Sequence, residues 1–107
     1  MKKFNLNDMV GGWFVGDFEP SAFKTENFEV AIKKYKKNDY EKKHVHYKAD
    51  ELTVIVTGKV KMNGIEYSSN DIIYINAGEP TDFEVLSEEV ITVVVKTKSI
   101  KNDKFII

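Results

Sequence analysis

Apolar residues along this chain recur with a period of two or run in short blocks, and no stretch carries a convincing 3.6-residue repeat. Phe28, Val30 and Ile32 alternate with Glu29, Ala31 and Lys33, which predicts a half-buried strand with the large apolar residues on one face. Leu52 to Thr57 is rich in β-branched residues and predicts a second strand. Its Glu51, Thr53, Ile55 and Thr57 share one face, and Leu52, Val54 and Val56 share the other. Ile72 to Ile75 and Val90 to Val95 are apolar on both faces, so each needs cover on both sides. Asn63-Gly64 stands between Lys59–Met62 and Ile65–Ser68, the signature of a hairpin closed by a type I′ turn. Further turn signals fall at Asn38-Asp39, Asn70-Asp71, Ala77-Gly78-Glu79-Pro80 and Ser87-Glu88-Glu89. Short strands at this spacing predict an all-β sandwich or barrel of eight or more strands. Residues 1 to 11 are the least structured by pattern. The glycine-rich apolar segment from Gly11 to Phe18 is expected to cover the mouth of the barrel or to pair with a partner subunit.

The 107 residues suffice for one domain, 1–107, with an ordinary core. No cysteine is present, which excludes disulfides, thiolate metal sites and cysteine nucleophiles. The net charge is -1, without the basic excess of a nucleic-acid-binding domain. Lysines 33, 34, 36, 37, 42 and 43 interleave with Tyr35, Tyr40 and Tyr47, but Glu29, Asp39 and Glu41 dilute the charge, so a solvated strand face is the better reading. The acidic stretch Glu79, Asp82, Glu84, Glu88 and Glu89 reads the same way. No apolar run is long enough to span a bilayer, and the basic start Met1-Lys2-Lys3-Phe4 is interrupted at once by Asn5, Asn7 and Asp8. A soluble cytoplasmic protein, binding neither nucleic acid nor membrane, is expected.

The chemistry concentrates at His44-Val45-His46. On a strand, residues i and i+2 point to one side, so both imidazoles project together. After the short stretch Tyr47-Lys48-Ala49-Asp50, Glu51 opens the next strand and can return its carboxylate to the same space. Two histidines and a carboxylate can form a facial metal triad with open positions. The rival reading is an exposed pair on an amphipathic strand beside Lys42 and Lys43.

These residues carry a resemblance to the cupin superfamily. Its first motif runs Gly, five residues, His-x-His, three or four residues, Glu, six residues, Gly. Here Asn38, His44-Val45-His46, Glu51 and Gly58 keep every spacing, with Asn in place of the first Gly. The second motif is degenerate: Asn70, Asn76-Ala77-Gly78, Thr81 and Val85 occupy the positions of Gly, Pro-x-Gly, His and Asn. Asn at 38 and 70 suits turn positions that need φ > 0. The two stretches cover residues 38 to 85.

The resemblance implies a small double-stranded β-helix, or jelly-roll barrel, acting on a small polar metabolite such as a sugar or an organic acid. It implies a divalent ion (Fe, Mn, Zn or Ni) held by His44, His46 and Glu51. The usual third histidine is replaced by Thr81, a poor ligand for such metals. Isomerase-type or dioxygenase-type chemistry would suit the metal site. A metal-free isomerase or epimerase, with His44 or His46 as acid or base beside Tyr47, is the alternative, and a non-enzymatic ligand-binding module is a third. Trp13, Phe14, Phe18, Tyr35, Tyr47 and Tyr74 include candidate pocket walls, although aromatics are more often core. The apolar second face of strand 51–57 favours a homodimer.

Overall fold

The computed structural model describes residues 1–107, and it is built of strands. After two short 3₁₀ turns, Leu6–Asp8 and Val10–Gly12, the chain forms β1 (Trp13–Gly16), β2 (Phe23–Lys24), β3 (Glu29–Lys36), β4 (Tyr40–His46), β5 (Glu51–Thr57) and β6 (Lys59–Met62). It continues as β7 (Ile65–Ser68), β8 (Ile72–Ile75), β9 (Thr81–Val85), β10 (Glu89–Lys96) and β11 (Lys104–Ile106). Six strands make one sheet in the order β2-β1-β3-β10-β5-β8, and five make the other, β11-β4-β9-β6-β7. The β1–β2 pair is parallel; all other pairs are antiparallel. No helix is long and apolar enough to cross a membrane.

The turns carry the backbone geometry their residues imply. Asn38 and Asn70 have φ of 75° and 80°, and Asn63-Gly64 has φ of 50° and 80°, closing a hairpin in which Met62 faces Ile65. Gly58 has φ of 100°, and a Cβ there would lie 2.4 Å from the Glu89 carbonyl oxygen. Only glycine fits that crossing between β5 and β6.

The interior changes character along its length. On β10 the inward residues are Val90, Thr92, Val94 and Lys96, running from apolar to charged. Around the apolar end lies the core: Ile55, Val60, Met62, Ile75, Phe83, Val85 and Val90, with Tyr35, Tyr67 and Ile73 packed against it. Burying each such aliphatic chain contributes roughly 1.5–3 kcal/mol, so this end anchors the barrel. The other end keeps its polar side chains and an open cavity.

Strand β3 departs from the simplest reading of its alternation. The face bearing Phe28, Val30 and Ile32 is the outer one, and Phe28 is 38 % exposed. Glu29, Lys33 and Tyr35 line the cavity, with Ala31 fully buried among them. Register is the cause. Val30, Val95, Leu52 and Tyr74 form one transverse row on the outer face, and Ile32, Val93, Val54 and Ile72 form the next. The apolar face of β3 joins these rows, which leaves its polar face for the interior.

Candidate functional site

A cavity of about 430 Å³ opens between the two sheets at the polar end. His44, His46, Glu51 and Thr81 all line it, as do Trp13 and Tyr35. Tyr47 does not: it is 59 % exposed, with its ring 5.4 Å from that of Phe105. Tyr74 is 52 % exposed on the outer face, where its hydroxyl donates to the Asp50 carboxylate. The expectation of a tyrosine at 47 or 74 facing the site is therefore corrected. Both residues project from the opposite face of the strand or turn that carries the inward groups. The segment from Gly11 to Phe18 pairs within its own chain, as β1 against β3 and β2, and Trp13 forms one wall of the cavity.

The histidines owe their aim to a bulge. In β4, Glu41 pairs with Phe83 and His44 with Thr81, so three steps on one strand match two on the other. The extra residue turns Glu41 and His44 to the same side, although they are three positions apart. The His44 Nδ1 lies 2.9 Å from the Lys42 carbonyl oxygen within this irregularity. A carbonyl only accepts, so Nδ1 carries a proton there. The His44 and His46 rings are 5.2 Å apart and nearly perpendicular. His44 is almost fully buried and His46 half-buried.

The turn into β5 is held by a residue far away in the chain. The buried Asp103 carboxylate accepts the backbone N–H groups of Tyr47, Lys48 and Ala49 at 3.1–3.2 Å. This anchor sets where His46 leaves off and where Glu51 begins. Glu51 then accepts a hydrogen bond from the Thr53 hydroxyl at 3.0 Å.

Glu51 belongs to a row that the local sequence does not reveal: Glu29, Lys96 and Glu51 are paired across β3, β10 and β5. Burial pushes the Glu51 carboxyl above its ordinary value, more than the Lys96 charge and the Thr53 bond pull it down. Burial likewise raises Glu29, against the pull of Lys96. Lys96 itself is lowered, chiefly by burial. His46 is lowered to about 4 by burial, and further by the charges of Lys96 and His44, with Asp103 acting in the opposite direction. At neutral pH its ring is therefore uncharged.

The architecture matches known structures. An uncharacterized protein of Klebsiella pneumoniae with a double-stranded β-helix domain superposes with a TM-score of 0.72 at 17 % identity, over 98 % of this chain and 90 % of that one. This is the cupin fold. The DMSP lyase DddQ of Ruegeria pomeroyi shares the cupin architecture with a TM-score of 0.70 and 14 % identity, over 86 % of this chain; this chain spans about half of the lyase (48 %). KdgF from Halomonas sp. gives 0.64 and 16 %, over 74 % of this chain and 76 % of that one. No family model matches the sequence, and no curated protein matches it.

Cupin motif positions nominate His44, His46 and Glu51 as metal ligands, and the structure brings all three to one cavity. It does not gather them into a metal centre: no three or more His, Asp or Glu side chains are grouped so as to hold an ion. Glu51 is turned to Thr53, Thr81 offers only a hydroxyl, and the amine of Lys96 shares the row of Glu51. As placed, His44, His46 and Glu51 are three polar groups facing one cavity, with Thr81 and Lys96 beside them. Glu29, Glu41, Lys96 and Asp103 are functional candidates that sequence reasoning missed. Only the isolated charge ending the apolar run Val90–Val95 hinted at Lys96.

Proposed function

We propose that this cupin cavity binds a small polar metabolite and moves a proton on it without a metal, as an isomerase or epimerase does. The observation that carries this reading is the pairing, in one cavity, of a carboxyl pushed up by burial with an imidazole pushed down. A buried carboxyl whose proton affinity is raised and an imidazole held neutral supply, in one cavity, a base and a hydrogen-bond donor. Glu51 takes a proton from the hydroxyl-bearing carbon beside a substrate carbonyl and returns it to the carbonyl carbon, while the hydroxyl gives its proton to the former carbonyl oxygen. The neutral His46 ring donates its N–H to the carbonyl oxygen as negative charge builds there. His44, braced on Lys42, positions the second imidazole edge. Thr53 steadies the carboxylate between steps.

The rival reading places a divalent ion on His44, His46 and Glu51. The motif spacing and the shared cavity favour it. One experiment separates the two: solvent deuterium incorporation into a panel of aldoses, ketoses and oxo acids, measured with untagged protein before and after EDTA. Exchange that survives EDTA and falls about a hundredfold or more in Glu51→Gln is expected, the scale of a lost general base. Exchange that requires a reloaded divalent ion would establish the rival, and absence of exchange across the panel would remove both.

We further infer that the protein pairs with itself through the outer face of the six-stranded sheet. The two transverse apolar rows there, eight side chains across four strands, have no cover within the chain over Ile72, which is 67 % exposed. A two-fold axis would bring this apolar face against the same face of a second copy.

A further inference from the structure

Trp13 lies across from Ala31 on the neighbouring strand, and Ala31 is fully buried. The indole of Trp13 lines the cavity beside this small residue. Two lysines reach the same ring. The Lys33 ammonium lies 5.3 Å from the ring centroid and the Lys96 ammonium 5.1 Å from it. Both belong to the cavity wall. Neither forms an ion pair: the two in the protein are Lys24 with Glu19 and Lys37 with Glu88, both at the surface. Two cations thus share one aromatic ring, each attracted to its face and each repelling the other.

Five carboxylates line the same cavity, and three are already committed. Asp103 holds three backbone N–H groups, Asp82 accepts from the Asn63 N–H at 2.7 Å, and Glu51 accepts from Thr53. That leaves Glu29, which burial biases toward its neutral form, and Glu41. The cavity wall also holds an orphan polar atom. Thr92 is 1 % exposed, faces Lys33 across the β3–β10 pair, and its hydroxyl has no hydrogen-bond partner. The Tyr35 hydroxyl is the side-chain group that reaches toward it. Buried hydroxyls are rarely left unpaired, and this one faces Lys33 across the strand pair.

We propose that the ligand of this cavity carries a carboxylate, which the ammonium groups of Lys33 and Lys96 engage beside the indole of Trp13. This rests on the reading of the cavity as a metabolite site and names its substrate class: a small hydroxy or oxo acid. The carboxylate meets Lys33 and Lys96, a substrate oxygen reaches the Thr92 hydroxyl, and the rest of the molecule extends toward His46 and Glu51. A singly charged carboxylate suits the site better than a phosphate dianion, because Glu41, Asp82 and Asp103 line the same cavity and repel added negative charge.

Trp13 is the only tryptophan in the chain, so its emission reports directly on this place. The experiment titrates the protein with small mono- and dicarboxylates, neutral polyols of matching size, and inorganic phosphate, each to millimolar concentration. At least one carboxylate is expected to shift the emission saturably, to weaken with added salt, and to bind about tenfold or more weakly in Lys33→Met and in Lys96→Met, as for loss of one charge-assisted contact. Melting curves confirm that each variant is folded, and Lys33→Met carries the test if Lys96→Met is not. Carboxylate binding undiminished in the folded variants, tighter binding of phosphate, or no saturable shift by any carboxylate would overturn the proposal. A neutral sugar whose deuterium exchange is unchanged by either lysine substitution would overturn it while leaving the isomerase reading in place.

Discussion

Glu51 shows how a functional residue strains the protein that contains it. Its folded-state pKa is raised, so over the window above the ordinary carboxyl value the folded chain binds more proton than the unfolded one. Stability from this group is therefore lost as pH rises through that window. Glu51→Gln keeps an acceptor for Thr53 and removes the charge. It should raise the melting temperature by a few degrees at pH 7–8, with the gain vanishing near pH 4, where both forms are neutral. Melting curves across that range check it; no gain at neutral pH would mean that Lys96 fully compensates the buried charge. His46 contributes with the opposite slope. Its pKa near 4 lies below the unfolded value, so the unfolded chain takes up the proton first and stability falls as pH drops below about 6.5.

Among the elements, the turn between β4 and β5 and the bulge within β4 place the site. The turn is short and polar, and it has one buried anchor, Asp103, which spans more than half the chain to reach it. Removing that carboxylate leaves three N–H groups without partners. Asp103→Ala should cost about 2 kcal/mol, the range for hydrogen bonds to a charged group. It should also reduce deuterium exchange more than this loss of folded protein explains, because Glu51 begins where the anchored turn ends. Denaturant unfolding together with exchange rates on the folded fraction measures the two effects. A full loss of stability with unchanged exchange would show that β5 is positioned by its sheet alone.

At the scale of the molecule, one sheet has two occupations. Its inner face grades from packed core to polar cavity, and its outer face presents two apolar rows. Val93 sits between Ile32 and Val54 at the middle of those rows. Sedimentation equilibrium should give twice the 12.3 kDa chain mass for the native protein and a single chain mass for Val93→Lys. A native protein that stays monomeric at high micromolar concentration would dismiss the homodimer, and would leave the outer face open for another partner.

The strands, the Asn-Gly hairpin, the positive-φ asparagines at 38 and 70, and the common direction of His44 and His46 are all local properties. Period-two alternation and turn stereochemistry act over a few residues, so the chain alone determined them. Which face of β3 turns inward, the entry of Glu41 through the bulge, the Glu29–Lys96–Glu51 row, the pairing of Trp13 with Ala31 and the reach of Asp103 were decided only in three dimensions. Each depends on the register between strands remote in sequence, and alternation within one strand is indifferent to that register. Tyr47 marks the boundary between the two: it is adjacent to His46 in the chain, yet a single step along the backbone sends it to the opposite side of the sheet.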